Sequence, residues 1–290
     1  QPVTIQNEIE AFELENFKLA EKQKEAIQMF FCNRFSVITG GPGTGKSTVL
    51  KAILTIQARL FPKSEAMLLA PTGKAARRMA EATGKKATTI HSGLGISEET
   101  TLSDIQCVGA DVVIVDEVSM CDQKLFALLA AAIDTEKTKL LLVGDCDQLP
   151  SVGAGNVLHE LINCEKVPIT KLNLVYRQGK DSIIPKNSDK INKGIAKLEF
   201  TNDFRFLTAE EPNDCFNTVI DAYISEVERL GVENVCVLCP MKSRGLNCVN
   251  EYNKKIQEVV NPIDKNKPEI HFKNRVFRLG DKVMQTKNSD

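Results

Sequence analysis

GGPGTGKST, residues 40–48, follows directly on an apolar run (Phe35, Val37, Ile38) and leads into a helical pattern. Strand, glycine loop and helix in that order are the context a phosphate-binding loop requires. Gly41, Pro42, Gly43, Thr44 and Gly45 make the loop; its glycines let backbone N–H groups turn inward as an anion cradle. The positive end of the helix that starts near Lys46 adds field of the same sign. Lys46 offers a mobile charge to the β- and γ-phosphates, Ser47 offers a hydroxyl to Mg²⁺, and Thr48 completes the first turn. The expected ligand is a nucleoside triphosphate.

Further along, short β-rich runs alternate with helical patterns. The runs are Phe35–Thr39, Ala66–Ala70, Asp111–Val115 and Lys139–Val143. Val112, Val113, Ile114 and Val115 are consecutive and apolar, as in a central parallel strand covered on both faces. Leu125, Leu128, Leu129 and Ile133 follow helical spacing. Alternation of this kind implies an α/β fold with a parallel sheet flanked by helices, with ligands at the carboxyl ends of the strands. Asp116 and Glu117 end one run, and Asp145, Asp147 and Gln148 follow another. Asp116 is placed to hold Mg²⁺, and Glu117 to orient and deprotonate a water. Gln148 has the length to reach a γ-phosphate.

A second α/β unit is expected from near Arg177. Phe216, Val219, Ile220, Tyr223, Ile224, Val227 and Leu230 form one helical stripe, followed by a strand at Val235–Leu238 and a helix from about Leu246. Residues 260–274, with two prolines, read as a surface connection. Residues 92–109 read either as a plain loop or as a small hairpin insertion.

The 290 residues carry 42% hydrophobic and 26% charged side chains, enough for about two cores. The net charge of −1 gives no bulk attraction to nucleic acid, so any such contact must be local. Nine cysteines in no framework spacing, with no export signal, read as reduced thiols of a cytoplasmic protein. Cys236 and Cys239, three apart in an apolar run, read as core thiols rather than zinc ligands, because strand residues at that spacing face opposite sides. No apolar run approaches about 18 residues, so no membrane partner is expected.

Taken in order, several pieces resemble superfamily 1 DNA helicases, most of all the RecD-like branch (exonuclease V alpha subunit type). They are AEKQKEAI with Gln23, GGPGTGKST, LLAPTGKAARRM (68–79), ATTIHSGLG (87–95), IVDEVSM (114–120), VGDCDQLPSVGAGNVL (143–158), VYRQ (175–178), PMKSRGLNCVNEYN (240–253) and RVFRLGDKVMQTKN (275–288). The resemblance implies two RecA-like domains, the first at 1–176 and the second, incomplete, at 177–290, with ATP and Mg²⁺ between them. It implies DNA unwinding with 5′→3′ movement on single-stranded DNA, in repair or recombination, with helicase–nuclease partner subunits. It makes Gln23 the reader of the adenine edge, Gln148 the γ-phosphate sensor and Arg177 an arginine reaching the γ-phosphate.

The same resemblance puts Thr72, Lys74 and His91, and on the second domain Lys242, Ser243 and Arg244, along single-stranded DNA. Lys74, Arg77 and Arg78 read equally as a solvated helix face. Residues 280–290 would begin an SH3-like insertion that the chain does not complete, so it reads as a fragment. Two other functions fit the same motifs: the motor part of a conjugative relaxase–helicase, and a nucleotide-switched DNA-binding module that clamps without moving. A P-loop kinase of small molecules would leave residues 140–178 without a purpose.

Overall fold

The computed structural model describes residues 2–97, 99–173, 182–273 and 275–283. The chain divides into two compact units, Gln1–Leu198 and Glu199–Asp290.

Unit 1 is built on a six-stranded sheet in the order β3-β2-β4-β5-β1-β6, all neighbours parallel. The strands are β1 (Phe35–Gly40), β2 (Ala66–Ala70), β3 (Ala87–Thr89), β4 (Val112–Val115), β5 (Lys139–Gly144) and β6 (Ile169–Leu172). Each of the four central strands, β1, β2, β4 and β5, coincides with an apolar run of the sequence to within a residue. Val112–Val115 is buried along its whole length, as its apolar run requires.

Helices α1 (Pro2–Glu15), α2 (Glu21–Cys32), α3 (Lys46–Leu60) and α4 (Gly73–Thr83) are joined to one buried cluster. Ile9, Phe12, Ile27, Phe30 and Ile53 meet Ile38, Ile114, Leu141 and Val143 there. The opposite cluster gathers Val37, Val113, Val115, Leu140 and Leu142 with Leu125, Leu128 and Leu129 of α6 (Gln123–Ala131). α5 (Ile90–Leu94), α7 (Val157–Asn163) and α8 (Ile184–Asn192) complete the unit.

Lys139, the first residue of β5, sends its ammonium to the carbonyls of Phe30, Phe31 and Asn33 at 3.3, 3.0 and 2.8 Å. These are the acceptors that the end of α2 leaves open. Burial and the nearby Arg34 pull this ammonium below its usual range.

Two strands escaped the sequence reading. β3 is three residues long, and β6, ITKL, has two polar residues between its apolar ends. Residues 92–109 contain no strand among those described. Beyond the end of α5 at Leu94 the segment is a loop with a 3-10 turn at Leu102–Asp104, held by Asp104 accepting from the Thr101 N–H and hydroxyl.

Unit 2 carries α9 (Pro212–Leu230), α10 (Val249–Val260) and an antiparallel hairpin of β7 (Glu269–Phe272) and β8 (Arg275–Arg278). The helical stripe falls on α9, and the helix expected from about Leu246 begins at Val249. Phe216 stacks on Tyr252 with ring centroids 4.8 Å apart, and the Tyr252 hydroxyl donates to Asn247 at 2.6 Å.

The strand expected at Val235–Leu238 is absent: among the described residues these form no ladder, because no neighbouring strand lies beside them. The surface connection expected at 260–274 is also corrected, since β7 lies within it. The hairpin is bound to α10. Gln257 donates to Val276 O and to Asp281, and Asn261 donates to Leu279 O and to Asp281. Residues 280–283 form a turn and the irregular stretch after it; the rest of the expected insertion lies outside the described residues.

Candidate nucleotide site and nucleic-acid face

β1 delivers the phosphate loop from the position next to the sheet edge, between β5 and β6. Gly43 and Gly45 have φ of +77° and +86°, the left-handed region where a side chain is strained. At Gly40 a Cβ would come within 2.7 Å of Thr44 Oγ1 and 2.8 Å of Leu172 O, so the strand end admits only glycine. Thr44 is buried and its hydroxyl donates to Gly41 O at 2.8 Å. Lys46 Nζ donates to Gly40 O and Gly41 O at 2.5 and 3.2 Å, closing its ammonium over the loop. Ser47 and Thr48 sit half-buried in the first turn of α3; Pro42 is exposed.

Gln23 lies against this loop. Its Oε1 accepts from Ala20 N at 3.0 Å and its Nε2 donates to Thr44 O at 3.4 Å. A Cβ at Gly45 would lie 2.3 Å from that Nε2. The side chain thus packs on the residue whose conformation shapes the loop.

β4 delivers the carboxylates two strands away. The Asp116 N–H extends the ladder to Leu69 O at 3.0 Å, and its carboxylate accepts from Glu117 N at 2.9 Å. Burial raises the Asp116 carboxyl to about 6, with the Glu117 charge adding to the rise; the Glu117 N–H and the Lys46 ammonium oppose it. Glu117 has φ +54°, a left-handed conformation that costs a non-glycine residue about 1–3 kcal/mol. Its Oε2 is buried with no hydrogen-bond partner. A strained backbone that holds an unpaired buried carboxylate oxygen loses stability twice, and such pairs of costs concentrate at functional sites.

β5 delivers the third group. Asp145 is 1% exposed and accepts from Asp147 N at 3.0 Å and Gln148 Nε2 at 3.2 Å. Cys146 N donates to Thr39 Oγ1 at 3.3 Å, tying this loop to β1. Gln148 itself is exposed. The sequence reading placed Asp145 at this strand end but did not give it the role of holding the loop, and it missed Thr39 as a tie. Each depends on a contact that no local pattern reveals.

The structure therefore gathers Gln23, the 41–48 loop and Lys46, and brings Asp116 and Glu117 into the same electrostatic site. Gln148 lies on a loop tied to the same β1. Arg177 lies outside the described residues. Among the described residues no cluster of three or more His, Cys, Asp or Glu is placed to hold a metal ion. Ser47 and Asp116 offer one hydroxyl and one carboxylate, an all-oxygen pair of the sort that suits Mg²⁺ carried in on a phosphate.

Thr72 and His91 follow the carboxyl ends of β2 and β3, at the end of the sheet where the phosphate loop also emerges. The Thr72 hydroxyl accepts from Ala75 N at 3.2 Å and so caps α4. Lys74 and His91 are exposed. Thr89, which the sequence reading did not single out, caps α5 in the same way, accepting from Ser92 N at 3.1 Å. In unit 2, Lys242, Ser243 and Arg244 are exposed in the turns before α10. No described helix is long and apolar enough to cross a membrane.

Comparison with known proteins gives a consistent picture. The AAA domain family matches residues 18–211. The ATP-dependent RecD2 DNA helicase of Deinococcus radiodurans is 37% identical over 93% of this chain and 36% of its own length. The RecBCD enzyme subunit RecD of Haemophilus influenzae is 31% identical over 76% of this chain and 44% of its own. The subunit of the same name from Mycobacterium tuberculosis strain H37Rv is 30% identical over 82% and 48%. The chain spans between a third and a half of the length of these curated relatives. Among solved structures, the Pif1 helicase from Candida albicans matches with a TM-score of 0.47 at 19% identity, over 72% of this chain and 55% of that one, a likeness too loose to add to the fold description.

Proposed function

Because the chain belongs to the AAA domain family and is RecD-like in sequence, we propose that it is a motor core that hydrolyses ATP to move along single-stranded DNA and unwind duplex. The observation that carries this is Glu117, a strained residue just past the carboxyl end of β4 with an unpaired buried carboxylate oxygen. Such an oxygen is positioned to take a proton from water, which is the task of a general base.

The residues present fit a magnesium–nucleotide. The left-handed Gly43 and Gly45 shape an anion cradle, and the desolvated Asp116 carboxylate gains from a cation beside it. Ser47 and Asp116 would hold the Mg²⁺, whose chemistry is to offset charge on the transferring phosphoryl group. Lys46 exchanges its loop carbonyls for phosphate oxygens. Glu117 orients the attacking water and accepts its proton. Gln148 monitors the γ-phosphate, and Arg177 adds positive charge to the site. Thr72, Lys74 and His91, with Lys242, Ser243 and Arg244, contact the strand through its backbone, as a motor indifferent to sequence requires.

Movement 5′→3′, a site of action in the cytoplasm and partners of the helicase–nuclease kind follow from the same reading. The names of two relatives, which describe subunits of a RecBCD enzyme, support such partners.

A second reading, a nucleotide-switched clamp, has its own support. The described residues of unit 2 hold an antiparallel hairpin and no parallel sheet. Steady-state hydrolysis with and without single-stranded DNA separates the two, alongside a duplex-unwinding assay and Glu117→Gln as control. A motor shows DNA-stimulated turnover and strand separation. A clamp shows DNA affinity that changes with nucleotide and neither of those activities. DNA affinity that ignores salt would remove the proposed contacts, since each phosphate neutralised should steepen the log–log slope by about 0.7.

A further inference from the structure

α8 ends at Asn192, and the Asn192 amide donates to the Asp147 carboxylate at 2.9 Å, across 45 residues of sequence. Asp147 is the middle of a loop pinned at other points. Its own N–H and the Gln148 amide are both bound to Asp145, and Cys146 before it is bound to Thr39. The end of α8 is itself well fixed. Gly194, at φ +70°, donates to Ile191 O at 3.0 Å, and Ile195 N donates to Lys190 O at 2.8 Å. Asn192 is therefore presented by a closed helix end, against a loop in which the Gln148 side chain is engaged with its own neighbour.

We propose that Asn192 is a positioning residue for the γ-phosphate sensor: by holding Asp147 it keeps the 145–148 loop in the arrangement where Gln148 is bound to Asp145. This rests on the reading of Gln148 as that sensor. The loop then has two states, one with Gln148 held by Asp145 and one with Gln148 on a γ-phosphate. A ligand shifts such an equilibrium only by its difference in affinity for the two states. A triphosphate gains from the released state and a diphosphate does not. The Asn192–Asp147 bond favours the held state, so it lowers apparent triphosphate affinity by the fraction of loops it withholds. Removing one hydrogen bond of this kind changes the balance by about 2- to 10-fold.

The absence of tryptophan from the chain makes the test clean. Leu149, next to Gln148, is 87% exposed, so Leu149→Trp places a single indole beside the sensor. The full chain carrying it is titrated with Mg²⁺–ADP and with a non-hydrolysable Mg²⁺–ATP analogue. Different end-point fluorescence for the two ligands is expected; identical spectra would defeat the sensor reading and this proposal with it. In the same background Asn192→Ala should tighten the analogue by about 2- to 10-fold and leave ADP affinity at the parent value. Asp147→Ala should do the same, the double variant no more than either single one, and Asp147→Asn, which keeps an acceptor oxygen, should behave as the parent. If the reporter distinguishes the ligands but Asn192→Ala moves both affinities equally, or neither, Asn192 has no part in positioning the sensor. Unchanged ADP binding also certifies that each variant is folded.

Discussion

Unit 1 and unit 2 are written in similar apolar language but bury it to different depths. In unit 1 the valines of β4 are covered on both faces and every central strand has a partner on each side. In unit 2 the buried apolar side chains, among those described, are Ile220, Tyr223, Cys248 and Tyr252. The stretch VCVLC at 235–239 is as strand-like by composition as any in unit 1, yet Leu238 is 90% exposed. Between this stretch, residues 206–209 and α9 lies a cavity of about 580 Å³ lined by Phe206, Val219, Tyr223 and Val237. The difference teaches that an apolar β-branched run becomes a strand only when another strand supplies its hydrogen bonds.

The contrast can be broken most decisively by amide hydrogen exchange. Amides of β4 and β5 should exchange only with global opening, and those of residues 236–239, which donate to no carbonyl among the described residues, at least about 10³-fold faster. Equal protection would mean that unit 2 has a sheet after all. Next in size are core truncations followed by denaturant unfolding. Ile114→Ala should cost about 2–5 kcal/mol, as a fully buried side chain does. Val237→Ala, beside the open cavity, should stay within about 0.5 kcal/mol.

The third test sharpens the chemical side of unit 1. Glu117→Gln should slow hydrolysis by about 10²-fold or more while nucleotide binding persists, whereas Lys46→Ala should weaken binding itself. Hydrolysis at the parent rate by Glu117→Gln would remove the general base from the site.

The smallest effect concerns what does hold unit 2 together. Burial pushes the Asp281 carboxyl up, but hydrogen bonds from Arg278 N, Asn261 and Gln257 outweigh it and leave it below the usual carboxylate value. The charged form is thus favoured by folding. Its contribution is complete above the ordinary value of 3.8 and is lost as pH falls through the lowered one. Proteolysis of the β7–β8 hairpin should therefore accelerate below about pH 3.8, and Asp281→Asn should abolish that dependence.

Much of unit 1 was legible because its signals are local. Fixed spacing announces the phosphate loop, and consecutive valines announce β4. Asp116 and Glu117 are visible as the residues where an apolar strand ends. β3 and β6 were hidden because ATT and ITKL carry too few apolar residues to stand out, and β6 earns its place only by pairing with β1. Asn192 and Thr39 were hidden for another reason: each matters through one hydrogen bond to a residue about 45 or 107 positions away. The strand misread at Val235–Leu238 shows the converse, a strong local signal without the long-range partner it needs.

The order of strands in the sheet has a consequence for how the protein is made. β1, which carries the phosphate loop, has as its neighbours β5 and β6, whose residues begin at Lys139 and Ile169. A ribosome adds about 5–20 residues per second, so roughly 5–20 s separate the emergence of Gly40 from that of its first lateral support. During that interval the glycine loop is attached to a strand with neither edge paired, and α2 awaits the ammonium of Lys139. Contacts of such sequence separation are slow to form even in the finished chain. Competence to bind nucleotide therefore waits for β5 and β6, well after the residues that carry it have been translated.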